Sequence, residues 1–264
     1  MKCKICDNTT EFFGKGKILE KYEIDYFKCP NCRFIQTENP YWLDEAYKDP
    51  INRSDVGYVF RNIRLAKVLN LLIYISFNRK SKFLDYGAGY GLFVRLMRDY
   101  GYDFYWDDLY CENIFSKDFE IKDSLNTEFE LISAFELFEH LNNPLEEIEK
   151  ILKYSRNIFI STELYPVSNP SINSWWYFGL EHGQHIALYS KQTFEYIAKK
   201  FNLNFYTDGK NIHLLSEKKI NRIFFKLLGY YYKIISRKKF KILKPLLDED
   251  HKSVIKKIEN EKLI

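Results

Sequence analysis

KFLDYGAGYGLFVRLM, residues 82–97, sets the reading of the whole chain: a short apolar run, glycines at 87, 89 and 91, then apolar residues at helical spacing. A strand entering a helix through such a turn lacks Cβ atoms where a ligand must approach the backbone, and its glycines admit unusual dihedrals. On either side of it, strand-like runs at 83–86, 103–107, 119–122, 131–135 and 157–162 alternate with helical patterns at 92–100 and 145–154. That alternation predicts right-handed crossovers and a parallel sheet covered on both faces. Asn143, Pro144 and Glu146 stand where a capping-box opening of the later helix would place its N-cap, N1 and N3 residues. Further out, the pattern predicts a short helical piece at 42–47, a long helix over 59–75, and an antiparallel hairpin through TDGKN at 207–211.

Two C-x-x-C knuckles precede this body, Cys3/Cys6 and Cys29/Cys32. Each knuckle can bend two thiolates onto one ion, and four thiolates close a tetrahedral shell with no position open for water. The spacing therefore predicts a structural Zn2+ in a small hairpin-rich ribbon that is too small to fold well without a metal. Paired disulfides are the alternative and need an oxidising compartment. Cys111 stands apart as a small semi-buried side chain.

The chain has 264 residues, 46% of them hydrophobic, enough for a full core. Its longest apolar run, at 68–77, is too short for a membrane span, and MKCKICDN lacks a signal-peptide pattern. A cytoplasmic protein is the expectation. Residues 217–264 hold 14 Lys/Arg against 6 Asp/Glu, leaving a mildly acidic body with 26 against 30. An acidic body argues against nucleic acid as the principal partner.

The turn departs from the dinucleotide fingerprint G-x-G-x-x-G, because Leu92 stands where its third glycine belongs. It resembles instead the first motif of class I S-adenosylmethionine-dependent methyltransferases, acidic-x-G-x-G-x-G, here Asp85 with Gly87, Gly89 and Gly91. The resemblance extends over roughly residues 80 to 165. It gives YWDDLY a ribose-holding carboxylate, Asp108 with Asp107 as the alternative, and puts Asp123 near the adenine. It reads FELFEHL as the family's E-x-x-E-H-L stretch, which brings Glu136, Glu139 and His140 to the cofactor's edge of the pocket. The implied fold is α/β, a doubly wound, seven-stranded, Rossmann-like sheet whose last strand is antiparallel. The implied organisation is a zinc-binding ribbon at 1–40, a helical connector at 41–78, the S-adenosylmethionine-binding domain at 79–218 and a basic helical tail at 219–264.

The ribbon and the long aromatic segment after the fifth strand together resemble zinc-containing sugar methyltransferases of bacterial polysaccharide and antibiotic pathways. Members with a ketone substrate carry H-E-H-L-x-x-F-S; His185 and Ser190 match, but Gln184 replaces the carboxylate. That departure turns the expectation from carbon methylation to oxygen methylation of a sugar hydroxyl or surface-polysaccharide precursor. His185 is then the base, with His182 and Glu181 as rivals. A phosphate or phosphoramidate oxygen is the other acceptor, oriented by Arg53, Arg61 and the Trp175–Trp176–Tyr177 cluster. Other classes are a zinc-ribbon RNA or DNA methyltransferase, which would usually display N-P-P-[YF] where this chain has FELF, and a non-catalytic partner subunit. The tail at 221–247 alternates basic and apolar residues and either packs on the protein or makes peripheral contact with an anionic membrane.

Overall fold

A computed structural model describes residues 1–48, 55–124, 128–235 and 244–261. The strands are β1 (Glu11–Ile18), β2 (Tyr22–Lys28), β3 (Ile35–Thr37), β4 (Lys82–Tyr86), β5 (Asp103–Asp107), β6 (Leu131–Phe135), β7 (Asn157–Ser161), β8 (Ala187–Leu188), β9 (Asn204–Thr207) and β10 (Ile212–Ser216). The helices are α1 (Leu43–Ala46), α2 (Tyr58–Ser76), α3 (Leu92–Asp99), α4 (Pro144–Leu152), α5 (Lys191–Lys200), α6 (Arg222–Lys226), α7 (Leu228–Ile235) and α8 (Leu247–Glu261). Among the described residues no helix is long and apolar enough to cross a membrane.

The larger sheet has strand order β5-β4-β6-β7-β10-β9. Six strands are seen among the described residues where seven were expected. Residues 119–122 contribute a single parallel bridge from Glu120 to Trp106, after which the chain tightens into a 3-10 turn, Ile121–Asp123. Glu120 and Asp123 cap that turn reciprocally, so the backbone groups that would extend a ladder are used locally. The chain's last strand, β10, is antiparallel to both β7 and β9. The compact units are Met1–Asp55 with Ala134–Lys226, and Val56–Ser133 with Leu227–Ile264.

In the first unit a smaller sheet runs β1-β2-β3-β8, all antiparallel. β8, a two-residue strand from the segment after β7, pairs Leu188 with Ile35 and Ala187 with Gln36. The ribbon is thereby built together with that segment, and Ile18, Ile24, Tyr26, Trp42, Tyr177 and Phe178 are buried in one cluster. Each such side chain contributes about 1.5–3 kcal/mol on burial, and the Trp42 indole also donates to the Gly183 carbonyl at 2.8 Å. Helix α4 starts with Pro144 at N1, as expected, but the Asn143 side chain makes no cap; its amide donates to Glu146 at 3.4 Å. Helix α6 covers β9 and buries Phe225 against Phe159 and Tyr206.

In the second unit β4 pairs parallel with β5, Asp85 opposite Trp106. Phe83 stacks on Phe104 with ring centroids 5.0 Å apart, and Phe93 meets Phe104 edge-on. Helix α8 is fastened by a buried fork, Arg98 Nε and Nη2 donating to the two carboxylate oxygens of Asp250 at 2.9 and 2.8 Å.

Candidate active site

The glycine turn, Asp85 and Asp108, expected to seat the donor, lie in the second unit. β4 ends at Tyr86, and Gly87, Gly89 and Gly91 follow at φ 71°, 55° and 84°, all left-handed, which accounts for their residue type. At Gly91 a Cβ would also meet Ser116 Oγ at 2.5 Å and Asn113 Oδ1 at 2.6 Å, so glycine is required there twice over. The Gly87 and Ala88 amides donate to the Asp107 carbonyl at 2.8 and 3.1 Å, and the Trp106 indole donates to the Gly89 carbonyl at 2.8 Å. These bonds fasten the turn to the end of β5.

Asp108 lies at that junction. Its Oδ2 accepts from Gly89 N at 2.8 Å, and its Oδ1 accepts from Tyr110 N and Cys111 N, both at 2.8 Å. Three amides thus fix the carboxylate, while an ionised carboxylate offers about four acceptor sites. Asp85 is buried and accepts from Ser133 Oγ at 2.5 Å. Burial, with a smaller contribution from Asp108, pushes its carboxyl up to about 8. Asp123 is engaged elsewhere, accepting from Glu120 N and Lys257 Nζ, each at 3.2 Å.

Glu136, Glu139 and His140, expected at the cofactor's edge of the pocket, and the candidate bases lie in the first unit. Glu139 and His140 sit in a one-turn 3-10 helix after β6, and His185 lies just before β8. The Glu139 carbonyl receives Ile186 N at 2.9 Å, which ties these two segments together. Tyr177 is fully buried and its hydroxyl donates to the Glu139 carboxylate. His185 Nδ1 lies 2.6 Å from the Tyr177 carbonyl. A carbonyl only accepts, so Nδ1 carries the proton and the lone pair of neutral His185 is on Nε2.

The rival bases differ. His182 Nδ1 accepts from Gln184 N at 3.1 Å, so its lone pair is committed to the backbone, and burial lowers this imidazole to about 4. Glu181 is exposed. Gln184 is buried and donates its amide to the Ala46 carbonyl at 2.8 Å. Burial also holds His140 well below the ordinary histidine range, aided by His185 and His182, and its Nδ1 meets the Tyr47 hydroxyl at 2.8 Å. Glu136 follows β6 with φ 47°, its carboxylate accepting from Ser161 Oγ at 2.6 Å. Ser190, the other residue of the matched motif, is the N-cap of α5. Of the anion-binding candidates, Arg53 lies outside the described residues, and Arg61 is on α2.

Sequence reasoning missed the Tyr47 hydroxyl and took Tyr177 only as an aromatic wall, not as the residue whose carbonyl sets the His185 tautomer. No local pattern marks either role, because each depends on a partner brought in by tertiary folding: Tyr47 meets a residue 93 positions away.

The four N-terminal cysteines are buried and free, with Cys3 and Cys32 sulfurs 3.5 Å apart and those of Cys6 and Cys29 3.4 Å apart. A tetrahedral ion with bonds of about 2.3 Å sets its sulfurs roughly 3.8 Å apart, so this donor set fits zinc. A disulfide of about 2.05 Å does not describe these spacings.

The family comparison agrees with the glycine turn. The model of a methyltransferase domain matches residues 58–207, more than half of the chain. The chain belongs to this methyltransferase-domain family, which makes it an S-adenosylmethionine-dependent methyltransferase. No curated protein matches it in sequence. Among solved structures it is similar to the plantazolicin methyltransferase BpumL bound to SAH, at 14% identity and TM-score 0.46 over 66% of this chain and 93% of that one. It is also similar to the 1,6-didemethyltoxoflavin-N1-methyltransferase of Burkholderia thailandensis, at 12% identity and TM-score 0.44 over 79% of this chain and 97% of that one.

Proposed function

We propose that the protein methylates a hydroxyl oxygen of a small-molecule or carbohydrate-precursor acceptor, with His185 receiving the hydroxyl proton. The observation that carries this reading is the bond between His185 Nδ1 and the Tyr177 carbonyl, which leaves the basic lone pair on Nε2. The rivals have other environments: the His182 Nδ1 lone pair accepts from a backbone amide, and Glu181 is exposed on the surface. In this reading the glycine turn and Asp108 seat the donor, with Asp108 held by three amides so that its remaining acceptor capacity faces the ribose hydroxyls. Gly87, Gly89 and Gly91 keep side chains out of that seat, and Asp85 stands at its start. S-adenosylmethionine, when bound, supplies the methyl group from its sulfonium. The protein aligns the acceptor and manages one proton. Zn2+ on Cys3, Cys6, Cys29 and Cys32 is structural.

His185→Ala tests this reading. Turnover of methyl-labelled donor against a panel of sugar nucleotides and polysaccharide precursors should fall about 100-fold or more, with donor affinity unchanged. Retention of turnover would favour an anionic acceptor oxygen, which needs orientation but no base.

A further inference from the structure

We infer that Glu139, His140 and His185 form a binding site for a divalent transition-metal cation that coordinates the acceptor hydroxyl and acidifies it. The inference rests on the acceptor class proposed above, a hydroxyl oxygen; it assigns His185 Nε2 to the cation rather than to the proton, two exclusive roles that the test below separates. One ligand-type atom from each residue lies within 4.8 Å of the other two. Bonds of about 2.0–2.2 Å to one ion span ligand pairs up to roughly 4.3 Å apart, so small side-chain shifts close the set. The outer contacts follow the pattern of ligating histidines, whose second ring nitrogen is held by a carbonyl or another polar group. His185 Nδ1 donates to the Tyr177 carbonyl at 2.6 Å, and His140 Nδ1 meets the Tyr47 hydroxyl at 2.8 Å, so Nε2 of each ring is the coordinating atom.

Glu139 supplies a carboxylate oxygen. It is fully buried and its carboxylate is oriented by the Tyr177 hydroxyl. Two imidazoles and one carboxylate leave coordination positions open, unlike the four-thiolate site. The mixed nitrogen and oxygen set suits Mn2+, Fe2+, Co2+ or Zn2+ better than Mg2+ or Ca2+. A coordinated hydroxyl releases its proton to solvent more readily, as coordinated water does. The oxygen then forms the O–CH3 bond as the S–CH3 bond breaks and its electron pair stays on sulfur, giving a methyl ether and S-adenosylhomocysteine. No redox change accompanies the step.

The test uses the full chain with zinc on its thiolates, titrated with Mn2+ while free Mn2+ is followed by its paramagnetic resonance signal. One Mn2+ per chain is expected, with affinity falling roughly tenfold or more in His185→Gln and in Glu139→Gln and unchanged in His251→Gln, an exposed control. Thermal melts and S-adenosylhomocysteine titrations of each variant report its fold and donor seat. If Glu139→Gln does not fold, His140→Gln takes its place. Absence of Mn2+ binding to the folded wild type, or equal binding to the His185 variant, overturns the inference and leaves His185 as the base. Failure of S-adenosylhomocysteine to bind would instead remove the parent reading.

Discussion

Asp85 stands in an environment that its sequence does not imply. A carboxylate ahead of a glycine turn reads as an ionised group, yet burial raises this one from 3.8 to about 8, with Ser133 as its hydrogen-bond donor. Between those values the folded state holds a proton that the unfolded chain has released. Stability from this group is therefore full below about pH 4 and is lost as pH rises towards 8. Asp85→Asn should flatten the profile across that window, as checked by urea unfolding at unit steps of pH; a variant as pH-sensitive as the wild type would contradict the assignment. The glycines were legible because alternate glycines between a strand and a helix leave the backbone bare through the turn, which suits left-handed dihedrals and close approach of a ligand. The His185 tautomer was not, since it depends on a carbonyl eight residues away that the local fold brings into place.

Among the elements, β4, β5, β6 and β7 were legible to within a residue or so because each is a short apolar run bounded by turns or helices. β8 has only two residues and no period to read, yet it joins the ribbon to the segment bearing His185. The Cys32 carbonyl strengthens that junction by accepting from Ser190 Oγ at 3.1 Å and Thr193 Oγ1 at 2.9 Å, the two residues that cap α5. The four-cysteine site and the His185 segment are consequently coupled through one carbonyl and one short ladder. With the proposed zinc on the four cysteines, Cys29→Ser or a strong chelator should raise amide hydrogen exchange by about tenfold or more over residues 184–193, a loss of roughly 1.4 kcal/mol or more in local stability. Exchange unchanged there would contradict that coupling.

At the scale of the whole chain, the sequence divides into ribbon, connector, cofactor domain and tail, whereas the compact units each combine segments distant in sequence. Long-range pairing of this kind leaves no trace in composition. The basic tail illustrates the same gap: charge and periodicity left packing and membrane contact as alternatives, while Phe225 and Leu228 are fully buried and Asp250 on α8 forms the fork with Arg98. Arg98 also donates to Asp103 Oδ1 at 2.7 Å and to the Phe104 carbonyl at 2.8 Å, which makes it the hub of the second unit. Asp250→Ala leaves that guanidinium short of its buried counter-charge and should cost about 3–5 kcal/mol, read as a lowered denaturation midpoint. A cost below about 1 kcal/mol, as for an exposed pair, would mean that α8 is not fastened in this way.

The proposed donor seat, the left-handed glycine turn with the amide-fixed Asp108, underlies every functional step proposed for this chain. Calorimetric titration of the folded protein with S-adenosylhomocysteine puts it to the test. One site per chain is expected, weakened about tenfold to a hundredfold in Asp108→Asn, because hydrogen bonds to a charged group contribute about 1.5–3 kcal/mol. No binding by the wild type, or equal binding by both proteins, would contradict it.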